Sequence, residues 1–226
     1  SMNDLFQKML FDQFEVVEVY DMKVTFTRPV HAPRVARDLA GFPGVTNVEA
    51  MAEVPVTLRH RWHKENTVLL GLPADSRLYN IVDKNNNKVL PPETGLLLSE
   101  RLASLLEADI GTVLTVESPF LDPEETRQLA VVGIIPQYIG TNAYMELGAV
   151  QDFLGQGPVA TAMMVNIEDT RITAFQEKYI ESDLLAGMDL NRTRLAKLRE
   201  TMDTYSAMIY LYMVIGVVIG FAIIYS

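Results

Sequence analysis

The stretch His60-Arg61-Trp62-His63 is where residue types and spacing first suggest chemistry. Two imidazoles three positions apart share one face of a helix and would supply half of a tetrahedral zinc site. The surrounding pattern predicts a strand instead, which sends the two rings to opposite faces, and Arg59 and Arg61 crowd them with positive charge. The expectation is therefore a solvated hairpin tip and no metal. Trp62, an aromatic ring among Arg59, Arg61 and Lys64, reads as a partner contact or as a merely exposed tip residue. Neighbouring carboxylates such as Glu107/Asp109 and Glu124/Glu125 invite an acid–base proposal, but in a chain with 29 acidic residues such neighbours arise by chance and mean nothing without a pocket. Gly-x-Ser-x-Gly, Gly-x-x-x-x-Gly-Lys-Ser/Thr and Gly-x-Gly-x-x-Gly are all absent. No catalytic residue and no bound cofactor are expected, and any ATP hydrolysis must reside in another subunit or domain.

The elements that would carry these residues follow from periodicity. Leu5, Phe6, Met9, Leu10 and Phe14 have helical spacing after a cap at Asn3 or Asp4. From Val16 to Thr27 the pattern turns to period two, with Met22, Val24 and Phe26 on one face, and Pro29 and Pro33 bracket its end. Residues 34–41 read as a short helix closed by Gly41, followed by a strand with Val54, Val56 and Leu58 on one face. A polar turn at Lys64-Glu65-Asn66 then leads into Thr67–Leu72, pairing back as a hairpin.

Asp83–Lys88 is a turn and Pro91-Pro92 forbids regular structure. Gly95–Leu98 reads as a strand running into Ser99, the N-cap of a helix Glu100–Glu107. Strands follow at Thr112–Glu117 and Gln128–Ile135, with Tyr138-Ile139-Gly140 closing the segment. Beyond it come a helix at Leu147–Leu154, a strand at Ala162–Ile167, a helix at Arg171–Glu181 and a strand at Asp183–Asp189. Two strand–helix–strand units separated by an insertion suggest one split α+β sheet with its helices on one face. Methionines at 2, 9, 22, 51, 145, 163, 164 and 188 are scattered, as core fillers are.

Asp203 is the last charged residue, and Ala207–Tyr225 is an uncharged run of 19 residues. As a helix it spans roughly 28 Å, against the ~30 Å hydrocarbon core of a bilayer. Tyr205, Tyr210, Tyr212 and Tyr225 suit the two interfaces, and Gly216 and Gly220 form a Gly-x-x-x-Gly pair that lets another helix approach. Arg192, Arg194, Lys197 and Arg199 just before the run would put the body in the cytoplasm if the positive-inside rule held here, but large domains translocate largely regardless of charge. No basic segment followed by an apolar one opens the chain, and none of the usual basic residues follow the apolar run, which is the expectation for part of a longer protein.

The net charge of −10 argues against nucleic acid as a partner, since counterion release needs clustered Lys and Arg. Zero cysteines exclude a disulfide scaffold, a thiolate metal site and a Cys nucleophile. With 226 residues, 49% hydrophobic, the chain suffices for one or two compact units.

Phe42-Pro43-Gly44-Val45 leading into Val48-Glu49, Leu69-Leu-Gly-Leu72 followed by Asp75, and Gly95-Leu-Leu-Leu-Ser-Glu-Arg-Leu-Ala103, then Gly111 before a Val-Leu-Thr-Val strand, Val132-Gly-Ile134 and Ala143-Tyr-Met145, follow one another in order. In order, spacing and the apolar helix that ends them, they resemble the large extracytoplasmic domain of MacB/FtsX-type ABC transporter permeases, over nearly the whole chain. The resemblance implies a porter-like α+β subdomain from residues 16–72 and 147–190, around an inserted β-rich subdomain at 73–146. Stalk helices at 1–15 and 191–204 would flank it, with a membrane span at 205–226. It further implies a non-catalytic permease subunit of the bacterial cell membrane, its bulk outside the cytoplasm. Its partners would be an ABC ATPase subunit, a second permease copy and, for some family members, an extracytoplasmic protein. Two other readings stay open on sequence alone: a membrane-anchored binding domain or enzyme with no ATPase, and a soluble α+β protein whose last helix is buried.

Overall fold

The computed structural model describes residues 2–136 and 141–225, with side chains from Asp4 onward. The expected close at Tyr138-Ile139-Gly140 lies outside the described residues. Helix α1 (Met2–Phe11) runs into a π-helical turn (Asp12–Val17), and Leu10 and Phe14, four positions apart, are the apolar side chains this lead-in buries. Strand β1 (Met22–His31) buries Met22, Val24 and Phe26 on one face, as its alternation requires. It starts six residues later than expected, because Val16 and Val17 complete the π turn, and it continues through Pro29. Proline is tolerated there because the neighbouring strand at Leu185–Leu190 pairs with β1 only as far as Phe26, and the pairing with the strand on the other side, Val159–Ile167, is irregular between Thr25 and Val30. Helix α2 (Ala32–Ala40) begins two residues early, with Pro33 in its first turn and the His31 ring accepting from the Arg34 N–H at 3.3 Å.

Strand β2 (Val45–His60) is sixteen residues long and folds back into β3 (His63–Leu72). The turn is Arg61-Trp62, not Lys64–Asn66: Lys64, Glu65 and Asn66 pair with Arg59, Leu58 and Thr57. Arg61 takes φ 56°, the left-handed backbone a two-residue hairpin needs, and Lys64 and Asn66 are exposed on the outward face of β3, so they mimic a loop in sequence. The remaining elements are β4 (Leu96–Ser99), α3 (Glu100–Leu105), β5 (Val113–Glu117), β6 (Arg127–Ile135), β7 (Asn142–Glu146), α4 (Leu147–Leu154), β8 (Val159–Ile167), α5 (Ile172–Tyr179), β9 (Leu185–Leu190) and α6 (Asn191–Ile224). Helix α3 ends short of Glu107, whose φ of 47° is incompatible with a helix. Ser99 caps it, its hydroxyl accepting from the Leu102 N–H at 3.3 Å.

Strands β9, β1, β8 and the first half of β2 form an antiparallel sheet in that order. Helices α2 and α5 connect β1 to β2 and β8 to β9 and cover one face, the split β-α-β arrangement. At Met51/Ala52, β2 leaves this sheet. Its second half pairs with β3 on one side and β5 on the other. The chain of pairs β3–β7, β7–β4, β4–β6 and β6–β5 then closes a ring of six strands. Residues 52–72, placed by sequence in the porter-like half, thus pair within this small barrel. Inward-facing Val56, Leu58, Leu69, Leu96, Leu98 and Leu114 fill it, with Leu102 of α3 and Val150 of α4 packed against them.

The sheet's helical face is held by Phe175, fully buried and edge-to-face with Phe42 at 5.2 Å between centroids. Phe175→Ala is expected to destabilise the body by about 3–5 kcal/mol through the cavity it leaves. A chemical-denaturation series read by near-ultraviolet circular dichroism checks this, and a loss below about 1 kcal/mol would contradict the packing described.

Candidate functional site

Helix α6 extends without a break from Asn191, against the sheet, to Ile224. Its apolar part, from Ala207 on, carries no charge, is long enough to cross a membrane, and none of its side chains is buried. A buried core helix, one of the readings open on sequence, is thereby overturned. The polar base of α6 is fastened to the chain's lead-in. Asn191 Nδ2 donates to the backbone carbonyls of Glu18 at 2.9 Å and Tyr20 at 2.6 Å, and its own N–H donates to the Asp21 carbonyl at 3.0 Å. One turn on, Arg194 Nη1 reaches Glu18 Oε1 at 3.2 Å and Asn191 Oδ1 at 3.3 Å, while its guanidinium lies 5.4 Å from the centre of the Phe14 ring.

Glu18 is the hub of this clasp. Its carboxylate also accepts from Gln13 Nε2 at 2.5 Å and the Tyr20 hydroxyl at 3.0 Å, and it is buried. The π turn places it: the Glu18 N–H bonds back five residues to the Gln13 carbonyl at 2.8 Å, which brings both side chains to one side. The lead-in is gripped from the barrel side as well. Val19 N–H donates to Leu78 O, Asn80 N–H to Val17 O and Asn80 Nδ2 to Val16 O, all within 3.0 Å. The loop after β3 is itself held to β2 by Glu49, which accepts from Ser76 Oγ at 2.6 Å and Arg77 N–H at 2.9 Å. Glu18, Tyr20, Lys23, Glu53 and Arg194 line a cavity of about 220 Å³ where α6, the lead-in and the two sheets meet. Its charges are spent on one another, Lys23 on Glu53 at 2.8 Å and Arg194 on Glu18. Among the described residues, the clasp thus joins the base of α6 to the lead-in through paired charges and hydrogen bonds.

Burial pushes the Tyr20 phenol far above its ordinary value of 10.0, with the Glu18 charge adding to it. Burial likewise raises Tyr79 and Tyr144, whose hydroxyls lie 3.3 Å apart. A folded pKa above the unfolded one means that the unfolded chain releases its protons first. The stability these groups hold is therefore fully present below about pH 10 and lost as pH rises beyond it, by about 1.4 kcal/mol per pH unit per tyrosine. Unfolding free energies measured from pH 9 to 12 are expected to fall from about pH 10, and Tyr144→Phe to make the decline shallower; equal slopes would contradict this.

Trp62 stands at the β2–β3 turn with 77% of its surface exposed, its ring 5.2 Å from that of His63. His60 and His63 face each other across the hairpin, on one side rather than on opposite faces, because the turn lies between them. His60 Nδ1 is 2.8 Å from the Leu106 carbonyl and His63 Nε2 is 3.3 Å from Glu107 Oε2, so both rings brace the hairpin against the end of α3. The nearby end of the barrel is apolar and open: Leu105, Ile110 and Val113 are all exposed. Glu107 and Asp109 do not form a pair, Asp109 bonding instead to the Ile110 N–H, and Glu125 pairs with Arg127 at 2.5 Å. Gly216 and Gly220 lie on α6 with open space where a Cβ would stand. Sequence reasoning missed the clasp, since Glu18 meets Asn191 and Arg194 across more than 170 positions and no local pattern marks that pairing.

No family model matches the chain and no curated protein matches it. Among solved structures, it is similar to the periplasmic region of MacB from Actinobacillus actinomycetemcomitans, at 12% identity and a TM-score of 0.48, over 86% of this chain and 97% of that one. It is similar as well to the extracellular domain of the noncanonic ABC-type transporter YknZ from Gram-positive bacteria, at 12% identity and a TM-score of 0.48, over 75% of this chain and 98% of that one.

Proposed function

We propose that this chain is the extracytoplasmic domain of an ABC transporter permease subunit in a bacterial cell membrane. It is not an enzyme: it couples motion of the membrane helices, driven by ATP on a separate ATPase, to cargo export or to an extracytoplasmic partner. The observation that carries this reading is the single unbroken helix α6, apolar and uncovered at one end and clasped through Asn191 and Arg194 to the lead-in at the other. A tilt or rotation of the membrane segment moves Glu18, and through the loop at 76–80 it moves the barrel as well as the sheet. In this reading Gly216 and Gly220 pack against a neighbouring membrane helix, in a permease dimer, and Trp62 touches the outer partner.

The test is purification of the full-length protein from its own membranes in mild detergent. Recovery with an ATPase, and a change in the hydrogen exchange of residues 12–20 and 189–200 when ATP is added, support the reading. Recovery without any ATPase, with exchange unaffected by ATP, would favour a membrane-anchored binding domain or enzyme instead.

A further inference from the structure

In a chain of net charge −10, one groove is basic. Arg28 at the far end of β1 and Arg34 and Arg37 on α2 border an open depression of about 770 Å³, and among the described residues none of the three makes an ion pair. The floor is apolar, made by Pro29, Val30, Val35 and Leu184. His31 lines it too. Because its Nδ1 accepts from the Arg34 N–H, the ring proton sits on Nε2, a further donor. The only carboxylate in the lining is Asp38. Three guanidiniums against one carboxylate leave a surplus of two positive charges, the complement of a dianion, and guanidinium forks match phosphate oxygens two at a time.

We infer that this groove binds a phosphate monoester, the phosphate held by Arg28, Arg34 and Arg37 and its apolar portion resting on Val30, Val35 and Leu184. An added strand from a partner protein is a poorer occupant, because Pro29 has no N–H to offer along that stretch of β1. The groove also lies toward the opposite end of β1 from Met22, where α6 departs, with about 20 Å of strand between Met22 and Arg28 and a further ~18 Å of charged helix, Asn191 to Asp203, before the apolar run. Headgroups of the surrounding bilayer do not supply the ligand. It arrives either as a soluble phosphate ester or as a lipid phosphate taken out of the membrane.

The test is calorimetric titration of the full 226-residue chain in zwitterionic detergent with phenyl phosphate, at an ionic strength of about 20 mM so that screening is weak. Saturable binding is expected, weakened about tenfold or more in Arg34→Ala/Arg37→Ala, strengthened in Asp38→Asn and unchanged in Arg101→Ala, an exposed arginine on α3 outside the groove. Equal binding to the double variant, or none to the unaltered chain at millimolar concentration, overturns the inference. Dihexanoyl phosphatidic acid binding more tightly than glycerol phosphate would identify the lipid source, and the reverse order the soluble one. No ATPase takes part, so a negative result leaves the transport reading standing.

Discussion

Replacing Glu18 by Ala is expected to lower the stability of the body by about 2–3 kcal/mol and to free the base of α6. Removing one partner of a buried ion pair costs about 3–5 kcal/mol, because the other charge stays behind in a poor dielectric. Here the loss is reduced, since the Arg194 side chain is 39% exposed and can turn toward water. Gln13 and the Tyr20 hydroxyl lose their acceptor at the same time and add to the cost. At a few degrees per kcal/mol for a body of this size, the melting temperature should fall by about 5–10 °C. Hydrogen exchange separates loosening of the joint from general weakening. Amides of residues 189–200 should exchange faster while those of β4 and β6, inside the barrel, keep their order. Glu18→Gln retains an acceptor for Tyr20 and should lose less than half as much. A melting point unchanged by Glu18→Ala would show that the clasp carries no strain between helix and body.

Ending the chain after Asp203 should abolish membrane association without unfolding the body. The lost segment of α6 is exposed throughout, apart from the half-exposed Gly220, so no core contact goes with it, and the clasp at Asn191 and Arg194 remains. Burying a run of Val, Ile, Leu and Met in hydrocarbon supplies roughly 2 kcal/mol per large side chain, far more than surface attraction offers a body of net charge −10. The full chain should resist alkaline carbonate extraction and require detergent. The shortened one should stay in the supernatant with an unchanged near-ultraviolet spectrum. A soluble full chain, or an unfolded short one, would contradict the membrane role of α6.

Much of this architecture is legible in the sequence wherever one face of an element is buried and the other wet. The alternation of Met22, Val24 and Phe26 and of Val54, Val56 and Leu58, and the cap at Ser99, mark their elements directly. Reading fails where polarity has a different cause. Lys64, Glu65 and Asn66 look like a turn because β3 turns its outward face to water there, whereas the true turn carries a tryptophan. The passage of β2 from sheet to barrel at Met51/Ala52 leaves no trace, since a long strand reads alike whichever sheet it joins. The clasp was invisible for a related reason. Asn191 looks like an ordinary helix start and Arg194 like one more basic residue near a membrane, and only the fold brings both to Glu18.

The central claim is that the body hangs from α6 on the outer side of the membrane, and the absence of cysteine from these 226 residues makes that directly measurable. Glu124→Cys places a thiol in the exposed segment between β5 and β6. In intact protoplasts bearing the full-length protein, a membrane-impermeant maleimide is expected to label this thiol to the same extent as after lysis. Labelling only after lysis would put the body in the cytoplasm, as the four basic residues before the apolar run suggest when counted alone, and the account of a domain driven from across the membrane would fall.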